Sequence, residues 1–407
     1  APGRIDEGHA PAPAAPGFWS LSLLTNHFPA LHGLRFLAIL GVVQFHVTAI
    51  LFEHKLIRDP VVGTLSLTLF FGMDLFFVLS GFLIGTILMV SIERHGRQMV
   101  WNFYVRRAFR ILPLYYVMLT GLALAFPMNA LQRQHLPYEY GYLTTLVPDL
   151  QRWTVVMIWG WSLSLEEQFY LLVPLLMWIL RVVRGHALRL GLLGVLFVSA
   201  LGVRLWIYHR VPVWTESNLF QALYPRSHTR YDTLIAGVML AYIQHTFRPQ
   251  VVAFFADARR RRATLAFIGV LLWSLLFPNT WERLTSLFKV FSWGTITSLM
   301  YVPLVLYLLN HRSDFSDFLG SRPFLYVATL GYGIYLVHMP VFDLLVVPVA
   351  RRMVFAHVPL AVVWPTSMIL VMVLSIAVSY VLHLLVEKPA LWLRDRLAPS
   401  PDARRPA

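Results

Sequence analysis

The stretch His32-Gly-Leu-Arg35-Phe-Leu-Ala-Ile-Leu-Gly-Val-Val-Gln44-Phe-His46 opens a run that stays largely apolar to residue 52. A bilayer core of about 30 Å takes about 20 such residues to cross as a helix. The run therefore reads as a membrane span. Nine further segments read the same way, near 65–90, 111–127, 155–180, 190–208, 231–247, 263–280, 287–309, 324–348 and 360–386. The expected fold is an all-α polytopic membrane protein with about ten transmembrane helices.

Composition supports this. Hydrophobic residues make up 57% of the 407 positions and charged residues 13%, against a soluble norm of about 45–50% and about 25%. Mean hydropathy is +0.63, which argues against a soluble enzyme. The net charge of +14 does not indicate a nucleic-acid partner. Its basic residues sit between apolar stretches instead of covering one polar face. There are no cysteines, which excludes disulfides, thiolate metal ligands and thiol nucleophiles. Lysine occurs only at Lys55, Lys289 and Lys388, so the basic side chains are almost all Arg, the residue suited to bidentate phosphate or carboxylate contacts.

Loop charges orient the spans. With the N-terminus placed in the cytoplasm, the inner segments carry 22 Lys and Arg and the outer loops 9. Both termini are accordingly expected in the cytoplasm. Residues 1–29 are rich in Ala and Pro and read as a disordered tail with no signal-peptide pattern. Residues 30–390 read as one membrane domain and 391–407 as a cytoplasmic tail. No soluble domain is read at either end. The stretch from Met128 to Arg152, with its Tyr and Pro residues, is expected to fold back over the membrane surface.

Ionisable side chains inside hydrocarbon are expensive, and each one is a functional candidate. Arg35 and His46 lie eleven residues apart, nearly three helical turns and roughly 16 Å of rise. They share a face, with Arg35 at the cytoplasmic edge and His46 near mid-bilayer. This suits a long anionic ligand with its charged end at Arg35 and its reactive end at His46. The plain alternative is a snorkelling Arg and a packed, hydrogen-bonded His. Arg107 and Arg110 share a helical face and suit phosphates as bidentate donors, although positive-inside anchoring also explains them. Asp74 calls for a partner on a neighbouring helix. Glu166 and Glu167 are adjacent carboxylates in an apolar segment, suited to orienting a His or capping an Arg. Arg230 and Asp232 read as an ion pair or a substrate contact, and Tyr335 and His338 share one face. Ser80 and Tyr170 join these as polar positions serving substrate or structure. His54 and Asp59 have the spacing of a glycerolipid acyltransferase motif, but in a short loop expected outside, and are set aside. Nothing in the pattern points to a metal.

Six strings, taken in order, resemble acyltransferase family 3, the group of bacterial O-antigen, Nod-factor and macrolide acyltransferases. They are Leu34-Arg35 through Phe45-His46, Asp74-Leu-Phe-Phe-Val-Leu-Ser80-Gly-Phe-Leu-Ile84, Arg106-Arg-Ala-Phe-Arg110-Ile-Leu-Pro113, Trp161-Ser-Leu-Ser-Leu-Glu166-Glu-Gln-Phe-Tyr170, Tyr335-Leu-Val-His338 and Glu387-Lys-Pro389. The resemblance implies a ten-helix domain in a bacterial inner membrane. Such a domain passes an acyl group, commonly acetyl, from cytoplasmic acyl-CoA to a sugar or other hydroxyl acceptor. It implies Arg35 and His46 as the essential pair and Arg107 with Arg110 as the Arg-x-x-Arg feature. On this reading the arginines hold the CoA phosphates and His46 acts as general base or takes the acyl group covalently. Glu166 or Glu167 fixes the His tautomer. The acceptor is a carbohydrate of the cell envelope, a secreted glycan or a small metabolite such as a macrolide. The domain completes the transfer itself or hands on to a partner protein. The rival from another class is a proton-coupled carrier, which intramembrane Arg, His, Asp and Glu would also fit.

Overall fold

The computed structural model describes residues 21, 28–56, 71–95, 98–211, 213–276 and 285–399. Among these no strand occurs. Apolar runs satisfy their backbone N–H and C=O groups inside hydrocarbon by coiling on themselves. The helices are α1 (Ala30–Glu53), α2 (Gly72–His95), α3 (Gln98–Ala125), α4 (Ala130–Tyr140), α5 (Gly160–Val182), α6 (His186–Arg210), α7 (Glu216–Leu223), α8 (Ser227–Arg230) and α9 (Asp232–Thr246). There follow α10 (Arg248–Ala256), α11 (Ala258–Leu276), α12 (Thr285–Phe291), α13 (Thr297–Asn310), α14 (Asp314–Leu319), α15 (Arg322–Val341), α16 (Val347–Phe355), α17 (Leu360–Leu382) and α18 (Lys388–Leu397). The Pro- and Ala-rich segment 1–29 lies almost wholly outside the described residues, as does Asp59.

Among the described residues, eight helical stretches are long and apolar enough to cross a membrane. The sixth and seventh of the ten spans expected from sequence fold as α9 and α11. α9 has 15 residues, short of the about 20 a crossing takes. α11 spends its first turn on Arg259 to Arg262.

The burial pattern is inverted relative to a soluble bundle. Leu171, Leu172, Leu175 and Trp178 of α5 and Val195, Val198 and Trp206 of α6 face outward, while Asp74, Arg204, Arg230 and Asp232 are fully buried. Lipid solvates the first set, and the bundle interior pairs the second.

The tightest packing joins α2 and α9, because glycines let their backbones touch. A Cβ on Gly81 would lie 2.1 Å from the Leu234 carbonyl oxygen, and one on Gly237 2.3 Å from that of Val78. Small residues at a helix crossing are a usual device where lipid offers no hydrophobic drive. α1 packs between α2 and α15, and α15 against α17. Among the described residues, π turns interrupt the helices at Phe342–Val346 and His383–Glu387, and a kink with non-helical backbone at Trp293 and Gly294 separates α12 from α13.

The connection after α3 folds back onto the bundle. Asn129 and Gln132 form a capping box that starts α4. Tyr115 and Tyr116 donate to the carbonyls of Glu139 and Tyr140 at its end. The buried Glu139 carboxylate accepts the N–H groups of Val156 and Met157 just before α5.

Candidate active site

α1 is continuous from Ala30 to Glu53, so Arg35 and His46 stand at different depths of one helix. His46 is half-buried, and its Nδ1 lies 2.9 Å from Nε2 of His338 on α15. The other nitrogen of His338, Nδ1, is 2.6 Å from the Tyr335 carbonyl oxygen. A carbonyl only accepts, so His338 Nδ1 carries a proton. In a neutral ring His338 Nε2 then holds a lone pair and accepts from His46 Nδ1–H. The remaining nitrogen of His46, Nε2, is left with its lone pair. The relay thus fixes which nitrogen of His46 is basic. Trp159 stands edge-on to the His338 ring at 6.3 Å. The Tyr335 hydroxyl bonds the Trp159 carbonyl at 2.7 Å and Ser162 Oγ at 2.6 Å, locking α15 to α5.

A second group surrounds Arg35. Arg107 and Arg110 of α3 lie within its electrostatic reach, so three guanidinium groups gather at one level. Among the described residues none of the three makes a salt bridge. Arg107 lies over the Tyr170 ring at 5.0 Å. Arg110 reaches the Thr329 carbonyl at 3.4 Å. Arg106 turns away and ties α18 to α3 through Asp395 at 3.2 Å and the Ala398 carbonyl at 2.7 Å. Glu166 is engaged by the Ser80 and Tyr170 hydroxyls, which lie 2.5 Å apart. Glu167 faces Arg107 and Glu166, and its Oε1 is buried with no partner. The two carboxylates therefore stand with the arginines, and the partner of His46 is His338.

The remaining polar residues form a buried lattice. Arg230 pairs with Asp74 and stacks on Tyr224 at 4.6 Å. Asp232 pairs with Arg204 at 2.8 Å. Arg204 also donates to the Val290 and Thr229 carbonyls and to Thr295. Gly294, at φ +107°, passes so close that a Cβ there would lie 2.4 Å from Asp232 Oδ1. Arg204 escaped the sequence reading because one Arg late in an apolar helix looks like an interfacial anchor. Its partner lies 28 residues on. Arg152 was equally unmarked. It bridges Glu53 at 2.7 Å and Asp343 at 2.6 Å, within electrostatic reach of His46.

The His pair and the arginine cluster thus stand at two depths of one bundle, and comparison with known proteins decides the family. Residues 28–384 match the family model described as an acyltransferase domain. The chain belongs to acyltransferase family 3. It is 26% identical to the peptidoglycan O-acetyltransferase OatA of Listeria monocytogenes over 337 residues, covering 78% of this chain and 50% of that protein. It is 26% identical to the O-acetyltransferase OatA of Staphylococcus aureus over 338 residues, covering 78% and 51%. The chain spans 40% to 51% of the length of the curated relatives it matches. No solved structure matches it. Membership of the family weighs for acyl transfer and against the carrier reading.

Proposed function

We propose that this family 3 acyltransferase is an O-acetyltransferase that moves an acetyl group from cytoplasmic acetyl-CoA to a hydroxyl of a cell-envelope carbohydrate. The observation that carries the reading is the relay from Tyr335 through His338 to His46, which leaves His46 Nε2 as the free base. The catalytic domain covers residues 30–390, flanked by 1–29 and 391–407, with ten crossings of a bacterial inner membrane and both termini in the cytoplasm. The excess of 22 inner over 9 outer Lys and Arg supports this orientation.

Arg35, Arg107 and Arg110 hold the CoA phosphates as charge-assisted, bidentate donors. Glu166, Ser80 and Tyr170 keep Arg107 in place. The acceptor hydroxyl oxygen attacks the thioester carbonyl while its proton passes to His46 Nε2. The C–S bond then breaks, and the CoA thiolate takes up that proton. His338 is a positioning residue: by accepting His46 Nδ1–H it aims the lone pair and stabilises the imidazolium as it forms. The same Nε2 also suits direct attack on the thioester to give an acetyl-imidazole; label retained on the protein in a single turnover marks that route. Peptidoglycan, named for the Listeria relative, heads the acceptors to test.

The test uses purified protein in proteoliposomes with acetyl-labelled acetyl-CoA and an envelope-glycan extract. His46→Ala is expected to lower transfer by roughly 10²–10⁴-fold, the worth of a positioned general base. His338→Gln, whose amide oxygen can accept from Nδ1–H, is expected to retain more transfer than His338→Ala. Near-normal transfer in His46→Ala would sink the mechanism.

A further inference from the structure

At the C-terminal end of α1, away from Arg35, a cavity of about 450 Å³ opens between Glu53, His54, Arg152, Trp153, Asp343 and Arg351. Its size falls within the about 300–1,000 Å³ of small-molecule sites. A second cavity of about 280 Å³ shares Arg152 and Asp343 and runs inward to Trp159 and Pro340. Trp159 is the ring packed on His338, and Pro340 lies two residues beyond that histidine. Arg152, common to both cavities, lies within electrostatic reach of His46, so the two cavities neighbour the His46–His338 pair.

The lining chemistry selects the occupant. Arg152 is shared between Glu53 and Asp343, and Arg351 donates to His54 Nδ1 at 3.1 Å. Two carboxylates are thus offset by two guanidinium groups, and the cavity carries no net charge to recruit a phosphate or an acid. It holds dense hydrogen-bonding capacity of both signs, with carboxylates that accept from hydroxyls and guanidinium N–H groups that donate to ring and hydroxyl oxygens. Trp153 adds an indole that is 57% exposed, a flat apolar platform beside polar groups. Asp343 reaches the cavity from the Phe342–Val346 π turn, a distortion that recurs at functional sites. A neutral, polyhydroxylated ring with one apolar face fits all of these.

We propose that this cavity is the carbohydrate acceptor site, in which Trp153 stacks on a sugar ring, Glu53, Asp343 and Arg152 bind its hydroxyls, and the inner cavity presents one hydroxyl to His46. The assignment rests on the O-acetyltransferase reading for its role and on the cavity itself for its ligand.

The experiment measures binding of tetra-N-acetylglucosamine and of maltotetraose to the purified full chain in detergent by titration calorimetry, with no acetyl-CoA present. At least one is expected to bind saturably. Trp153→Ala and Asp343→Asn are each expected to weaken that binding tenfold or more, and Trp153→Phe to restore most of it. Saturable binding by neither sugar, or unchanged affinity in both variants with their melting intact, overturns the proposal. Acetyl transfer is assayed separately on the same preparations. Wild-type binding without transfer would sink the transferase reading and leave the site standing; transfer without binding would do the reverse.

Discussion

Two polar clusters lie inside the same apolar bundle and follow opposite rules. Around α9 each charge meets its opposite: Arg230 meets Asp74, and Arg204 meets Asp232, with side chains fully buried. Around Arg35 like meets like, with Arg107 and Arg110 gathered beside it; Glu166 and Glu167 face Arg107, but among the described residues no carboxylate lies within salt-bridge distance of the three. Burying a charge costs several kcal/mol unless it is paired. The Arg204–Asp232 pair offsets that cost with further hydrogen bonds from Arg204 to Val290, Thr229 and Thr295, while Arg230 Nε and Nη1 and Asp74 Oδ2 stay without a hydrogen-bond partner among the described residues. The second cluster is half-buried and leaves its cations without a salt bridge, as the proposed phosphate contacts require. On that proposal, pairing separates the charges that hold the helices from those that meet the donor.

The largest expected effect breaks the paired cluster. Arg204→Met strands the Asp232 carboxylate and two carbonyls in a dry interior, and removing one partner of a buried pair costs about 3–5 kcal/mol. A steep loss of thermal midpoint in detergent, with little folded protein recovered, is the expected result. A midpoint within a few degrees of wild type would show that the lattice is not what fixes α6 against α9.

The unpaired cluster is expected to respond the other way. Arg110→Met relieves crowding between cations and is expected to leave the midpoint close to wild type, while Arg107→Met also removes the cation facing Glu166 and Glu167 and is expected to lower it modestly. Each removes a charge-assisted contact worth about 1.5–3 kcal/mol, or roughly tenfold to a hundredfold in half-saturating acetyl-CoA. Kinetics at varied acetyl-CoA and fixed acceptor read this directly. If the midpoint collapses while half-saturation holds, these arginines are structural and the contrast between the clusters fails.

The sequence carried the helical membrane class, because a long apolar run has few other folds open to it, and it carried the identity of most buried polar residues, because each is an exception in an apolar segment. It could not carry their pairings. Asp74 and Arg230 are 156 positions apart, and His46 and His338 are 292 apart, so only the packing of α2 on α9 and of α1 on α15 joins them. Glu166 and Glu167 read from sequence as orienting a His or capping an Arg; in the fold they stand beside Arg107, and His338 bonds His46. Trp153 and Arg152 gave no signal because an indole and a charge in a loop are ordinary until a cavity brings them together, and Asp343, near the outer end of an expected span, looked like a residue at the membrane edge. The short α9 escaped for a related reason: an apolar pattern does not reveal that Tyr231 divides its helix from α8.

The smallest expected effect concerns the fold-back segment, which closes the bundle near the proposed acceptor cavity. Glu139 belongs to the paired class in a weaker form, since its partners are the backbone N–H groups of Val156 and Met157 and not a cation. Burial pushes its carboxyl up from the ordinary 4.5 to about 7, outweighing those two hydrogen bonds and the nearby His135. Between these values the folded chain holds a proton that the unfolded chain has lost. The stabilisation is complete below the unfolded value and is lost as pH rises through about 7. Thermal midpoints at pH 5 and pH 8 should therefore fall more for wild type than for Glu139→Gln, which carries no titrating group at this position. Parallel pH dependence in the two proteins would mean that the Glu139 proton does not help anchor the segment, which the contacts of Tyr115, Tyr116, Asn129 and Gln132 would then hold.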